Sequence, residues 1–165
     1  MKRAAILLLA LALAACGKWG GSYLDTKNTE PPEPVPADKE ADWRLYGQQP
    51  DVDIHVSWAS IGHDDPSGHD EYVYVWVRRS FKKDQENKEG DKYRTEYSRF
   101  ALDCAKSEMA GIGAEFRDKD GDEVSRHDLA GFQWEFDSVT KQAYMQDFFT
   151  QVCKIAREKA AGKKE

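Results

Sequence analysis

Positive charge is in deficit. The 165 residues carry 24 Lys and Arg against 30 Asp and Glu, a formal charge of −6, which excludes a general nucleic-acid binder because such proteins need a basic surface. Cysteine is scarce at three and histidine at four. No G-x-S-x-G nucleophile turn occurs. His55 and His127 fall in strand patterns, where a structural histidine is the simpler account, and the carboxylates show no pairing, so nothing points to catalysis. Long apolar runs are missing too. After residue 15 no segment approaches the about 20 apolar residues that span a bilayer. What the chain does have is aromatic residues, at 12%, enough to build one modest core of Trp, Tyr and Phe with some unstructured length to spare.

The one apolar run is at the start. Lys2-Arg3 precede Ile6 to Ala15, a charged region followed by an apolar stretch of signal-peptide length. Leu13-Ala14-Ala15-Cys16 resembles the lipobox of bacterial lipoproteins, in which a peptidase cuts before the cysteine and the new N-terminus carries three acyl chains. Residues 1–15 are therefore expected to be a lipoprotein signal peptide, and Cys16 the lipidation site. The alternative is a plain signal peptide with a chance cysteine. Two or more acyl chains anchor stably where one does not. Under lipoprotein sorting rules, Gly17, with no Asp after the cysteine, implies the outer membrane.

Residues 16–42 hold four of the six prolines, at 31, 32, 34 and 36. Gly, Pro and charge dominate there, which reads as a lipid-anchored flexible tether, partly polyproline-II. Trp19 and Tyr23 suit the lipid interface.

From Trp43 the pattern changes, so residues 43–165 are expected to form the folded domain. Strand patterns cover 52–61, 71–81, 92–104, 108–117 and 123–129, with a short one at 132–136, separated by polar turns. Such close spacing predicts an antiparallel meander, because parallel crossovers need longer connections. The period then lengthens. Met145, Phe149, Val152, Cys153 and Ala156, widened by Phe148 and Ile155, share one helical face; Asp137 or Ser138 offers an N-cap, and a lysine-rich run closes the helix. The expected fold is α+β, an antiparallel sheet of about six strands with a C-terminal helix packed on one face.

With Cys16 acylated, Cys104 and Cys153 remain as a pair in an oxidising compartment. Cys153 lies in the helix stripe and Cys104 shares strand parity with Leu102 and Phe100, so a bridge would staple helix to sheet; two free thiols is the alternative. In the second strand, Val73, Val75 and Val77 alternate with Tyr72, Tyr74 and Trp76. One face suits the helix. The other needs a loop, the N-terminal arm or a second chain over it. Tyr72, Tyr74 and Trp76 are thus either core or the binding surface, for a partner protein or a homodimer; Tyr93, Tyr97 and Trp134 would extend that surface.

Two loops invite metals. "HDDPSGHDE" (63–71) sets His63 and His69 among carboxylates, the ligand types that suit zinc, or else it is a solvated hairpin loop; no cofactor is assigned. "DKDGDE" (118–123) starts like a calcium loop, but Gly121 stands at position 4 instead of 6 and Leu129 at position 12 in place of Glu. It is a hairpin turn.

Trp76, Asp103-Cys104, Trp134 and Val152-Cys153, in that order across residues 53–156, resemble the surface-adhesin protein E family of exported bacterial proteins and lipoproteins. The resemblance implies an antiparallel sheet, a C-terminal helix, a disulfide, adhesion to host matrix or serum proteins, and dimerisation. Members often carry a Pro-Gly before the serine where this chain has "FQWEFDSVT", so the helix entry is expected to differ. The expected function is an outer-membrane-anchored, adhesin-like lipoprotein that is not an enzyme. The runner-up is a periplasm-facing envelope lipoprotein in a structural or accessory role, and a metal-binding domain is third.

Overall fold

The computed structural model describes residues 33–64, 69–139 and 143–162. The signal-like segment, Cys16, tether residues 17–32, loop residues 65–68, and Lys163 and Lys164 of the basic run lie outside them.

Six strands lie side by side in chain order, each antiparallel to the next: β1 Trp43–Gln49, β2 Val52–Ser57, β3 Val73–Glu86, β4 Lys92–Asp103, β5 Glu108–Arg117 and β6 Glu123–Asp128. A two-residue strand, β7 Asp137–Ser138, pairs with Met109 and Glu108 at the start of β5. A short helix, α1 Asp38–Ala41, precedes the sheet, and a long one, α2 Ala143–Gly162, follows it. The α+β meander is as the turn spacing predicts.

Three elements differ from the sequence reading. β1 has no strand in the sequence pattern, since "WRLYGQQ" has no β-branched residue and does not alternate; its register against β2 slips between Leu45 and Gly47. The slip turns Tyr46 onto α2, where its ring meets Phe148 edge-on at 5.5 Å and its hydroxyl donates to Asp147 at 2.7 Å. "FQWEF" is not a strand. Gly131–Gln133 make a 3₁₀ turn instead. Asp137 and Ser138 are not the helix cap either, because they are drawn into the β5 ladder, helped by the Val139 N–H donating to Ser107.

One sheet face carries the core. Ile54, Val56, Val73, Val75, Val77 and Leu102 meet Phe148, Phe149, Val152, Cys153, Ile155 and Ala156 of α2, the helical stripe and the strand parity that the sequence implies. Phe100 and Cys104 pack on the same cluster. Cys104 and Cys153 are bridged, with their Cα atoms 5.9 Å apart. Sheet and helix are thereby joined covalently as well as by burial.

Candidate functional site

The opposite sheet face has no long helix over it among the described residues. Residues directly opposed in neighbouring strands point to the same side, and the registers Trp43↔Ser57, His55↔Arg78, Arg78↔Tyr97, Trp76↔Arg99, Tyr97↔Glu115 and Glu115↔Arg126 place all of these side chains on it. The result is a lattice of guanidinium and aromatic groups. Arg78 lies over Trp43 at 4.9 Å, Arg99 over Tyr74 at 5.2 Å and Trp76 at 5.9 Å, and Arg117 over Tyr97 at 5.0 Å. Planar guanidinium groups stack on rings in this way while their apolar stems cover what a helix would otherwise bury.

Carboxylates neutralise the lattice. Glu115, 2% exposed, takes Arg117 at 2.6 Å and Arg126 at 3.2 Å, and Arg126 also meets Asp128 at 2.6 Å. Two more anions come from the segment before β1. Glu33 pairs with Arg99 while its carbonyl accepts from Arg126 at 3.0 Å, and Asp38 meets Arg78 at 3.2 Å. The same segment is sewn to the sheet end by Ser57, whose hydroxyl donates to the carbonyl of buried Ala41 at 2.7 Å, and by the Trp58 amide donating to Asp42 at 3.1 Å. Residues 33–42, assigned to the tether by composition, thus form a strap lying against the arginine face. Burial, reinforced by the Arg78 charge, holds the His55 imidazole below its ordinary range.

The aromatic residues singled out in the sequence fall on this side, but deep. Tyr74 and Trp76 are 2% and 1% exposed. They form the floor beneath Arg99 and cannot themselves present a contact surface. The loop after β6 covers Tyr74: the Leu129 amide donates to Ile112, the Trp134 indole donates to Leu129 at 2.9 Å, and the Trp134 ring meets Tyr74 edge-on at 6.2 Å. Tyr72, half-buried, stacks on Phe136 at 4.8 Å. Tyr97 and Trp134 share the face, whereas Tyr93 lies with Phe81 and Phe116 on the other side.

The two candidate metal histidines have separate partners. Nδ1 of His63 faces the Asp70 carbonyl at 3.1 Å, and the His69 ring lies 5.3 Å from Trp134. Among the described residues no three His, Cys, Asp or Glu side chains converge as metal ligands would. His63 and Asp64 line a cleft of about 760 Å³ with Glu33 and Lys159. There Lys159 donates to the carbonyls of Trp58, Ala59 and Ile61, tying the end of α2 to the β2–β3 loop. Asp118 to Asp122 form the hairpin turn between β5 and β6, with Asp118 Oδ1 accepting from the amides of Asp120 and Asp122.

The arginines carry the character of the face and were not singled out from sequence. A signal was present: Arg78, Arg99, Arg117 and Arg126 recur in four successive strands on the side opposite the valines. Seeing it requires the register between strands, which a single strand pattern does not contain.

A disulfide-stapled meander with a helix on one face and a guanidinium–aromatic lattice on the other defines a small α+β domain. No helix among the described residues is long and apolar enough to cross a membrane. The chain belongs to the surface-adhesin protein E family, whose family model matches residues 43–154, and it is thus an adhesin-like protein of the cell surface or envelope. No curated protein and no solved structure matches it.

Proposed function

We propose that this chain is an outer-membrane-anchored lipoprotein that binds other macromolecules through the domain at 43–165 and catalyses no reaction. The family match over residues 43–154 carries the reading. The lipobox-like sequence ending at Cys16 supports lipid anchoring at that residue, and residues 17–32 then act as the arm. A host matrix or envelope protein is the partner class that an adhesin-like domain implies.

Protease shaving of intact cells tests the reading. The domain should be cut from intact cells, and a Cys16→Ser variant should lose palmitate labelling and fail to partition with the outer membrane. Survival of the domain on intact cells, with cleavage only after the outer membrane is opened, would overturn surface binding in favour of a periplasm-facing envelope role.

A further inference from the structure

The arginine face has a chemical bias that its own lattice does not satisfy. Trp43 Nε1 and Arg78 Nε are buried N–H groups with no hydrogen-bond partner among the described residues, and both lie on this face. Each is a donor that can only donate. The guanidinium groups beside them are donors as well. The face therefore has donors in excess, arranged between aromatic rings, and a complementary ligand must supply carbonyl and carboxylate acceptors with few N–H groups of its own.

The strap is built from that chemistry. Residues 33–38, "EPVPAD", offer two carboxylates and a carbonyl at every position, while two of the six residues are prolines without an N–H. Glu33 and Asp38 set their carboxylates on Arg99 and Arg78, and the Glu33 carbonyl takes Arg126. Extended proline-containing segments dock on aromatic-lined surfaces because their conformation is already fixed before binding. Acidic positions spaced along such a segment add charge-assisted bonds to arginine.

We propose that the arginine–aromatic face is a docking surface for an extended acidic, proline-containing segment of a partner protein, and that residues 33–38 are its built-in occupant, which the partner displaces. The inference rests on the reading of the domain as a macromolecule-binding module, and adds where the partner binds and what it is made of. A ligand whose sites are already filled binds with an affinity reduced by the fraction of free sites, so the strap sets a threshold on which segments are accepted.

The probe is a labelled synthetic peptide, EPPEPVPADKE, the sequence of residues 30–40, titrated by fluorescence anisotropy against the full chain in detergent. The Glu33→Lys, Asp38→Lys double variant repels its own strap and should bind the peptide about tenfold more tightly than the wild type. Added salt should weaken that binding. Arg126→Gln in the double-variant background, chosen because that side chain is partly exposed and its loss need not unfold the domain, should lower affinity about fivefold or more. A peptide with Gln for Glu and Asn for Asp should bind far more weakly. Equal affinity for wild type and double variant, equal affinity for the neutral peptide, or binding of a sulfated polysaccharide in place of the peptide would each overturn the proposal. Lost peptide binding with the domain still shaved from intact cells sinks this inference alone. Retained peptide binding with a protease-shielded domain sinks surface exposure alone.

Discussion

Glu33 meets Arg99 across 66 positions of the chain, and the two partners are unequally placed: the arginine side chain is 7% exposed, the glutamate 37%. Losing the exposed partner takes a carboxylate from a buried guanidinium, whereas losing the buried one leaves a carboxylate that water can reach. Glu33→Ala should therefore lower stability by about 1–2 kcal/mol, discounted from the fully buried case for the exposure of Glu33. Arg99→Met, which keeps the apolar stem, should cost less. Urea unfolding of the two variants checks the order, and an Arg99→Met penalty exceeding that of Glu33→Ala would contradict it.

The Cys104–Cys153 bridge closes a loop with a sequence separation of 49. In the chain-entropy account this is worth about 4 kcal/mol. Adding reductant, or replacing both cysteines with serine, should lower the melting temperature by well over ten degrees for a domain of this size. Neither thiol should react with a labelling reagent in envelope material before reduction.

Leu102 is wholly buried in the cluster under α2, two residues from the bridge. Leu102→Ala should cost about 2–5 kcal/mol, because the covalent staple limits how far the helix can settle into the space left. Calorimetric unfolding measures it. A cost below about 1 kcal/mol would mean that the helix is free to close the gap.

His55 supplies a pH dependence. Burial lowers its folded-state pKa below the unfolded value of 6.5, so between those two values the unfolded chain binds more protons than the folded one. Stability is then complete above pH 6.5 and falls as the pH drops through that window. A His55→Gln variant should lose this part of the slope while keeping the acid limb. The acid limb belongs to carboxylates such as Asp103, whose pKa is lowered chiefly by Lys106, with the amides of Lys106 and Ala105 adding to it. Their contribution is present above the ordinary Asp range and disappears as the pH falls through the lowered value. Urea midpoints from about pH 2 to 8 separate the two.

The sequence carries the helix stripe, the valine parity and the cysteine pair because each is a periodic pattern within one segment. Met145 to Ala156 repeats at helical spacing and Val73 to Val77 alternates, so both announce their buried side. β1 is not legible in this way. Its place comes from pairing with β2, and Tyr46 reaches the helix only through a slipped register. The candidate site was half visible. Tyr74 and Trp76 are on the right face, but the arginines that cover them come from four strands, and which side chains meet depends on alignments between strands that no local pattern states. The strap was misleading for a related reason: proline and glutamate have the composition of a linker, and their docking depends on charges 40 to 93 positions away.

The position of Glu33 also decides how the domain responds to a pull. On the lipid-anchored reading, tension from the membrane enters the fold at Glu33. With the strap seated, residues 17–32 would on that reading span about 55 Å at full stretch; with it released, residues 17–42 would span about 90 Å. Load therefore falls first on a handful of ion pairs that can be peeled and remade, and reaches the sheet only when they are gone. A domain held in this way lengthens its reach under strain before it unfolds, a shock absorber set between the anchor and the surface that grips.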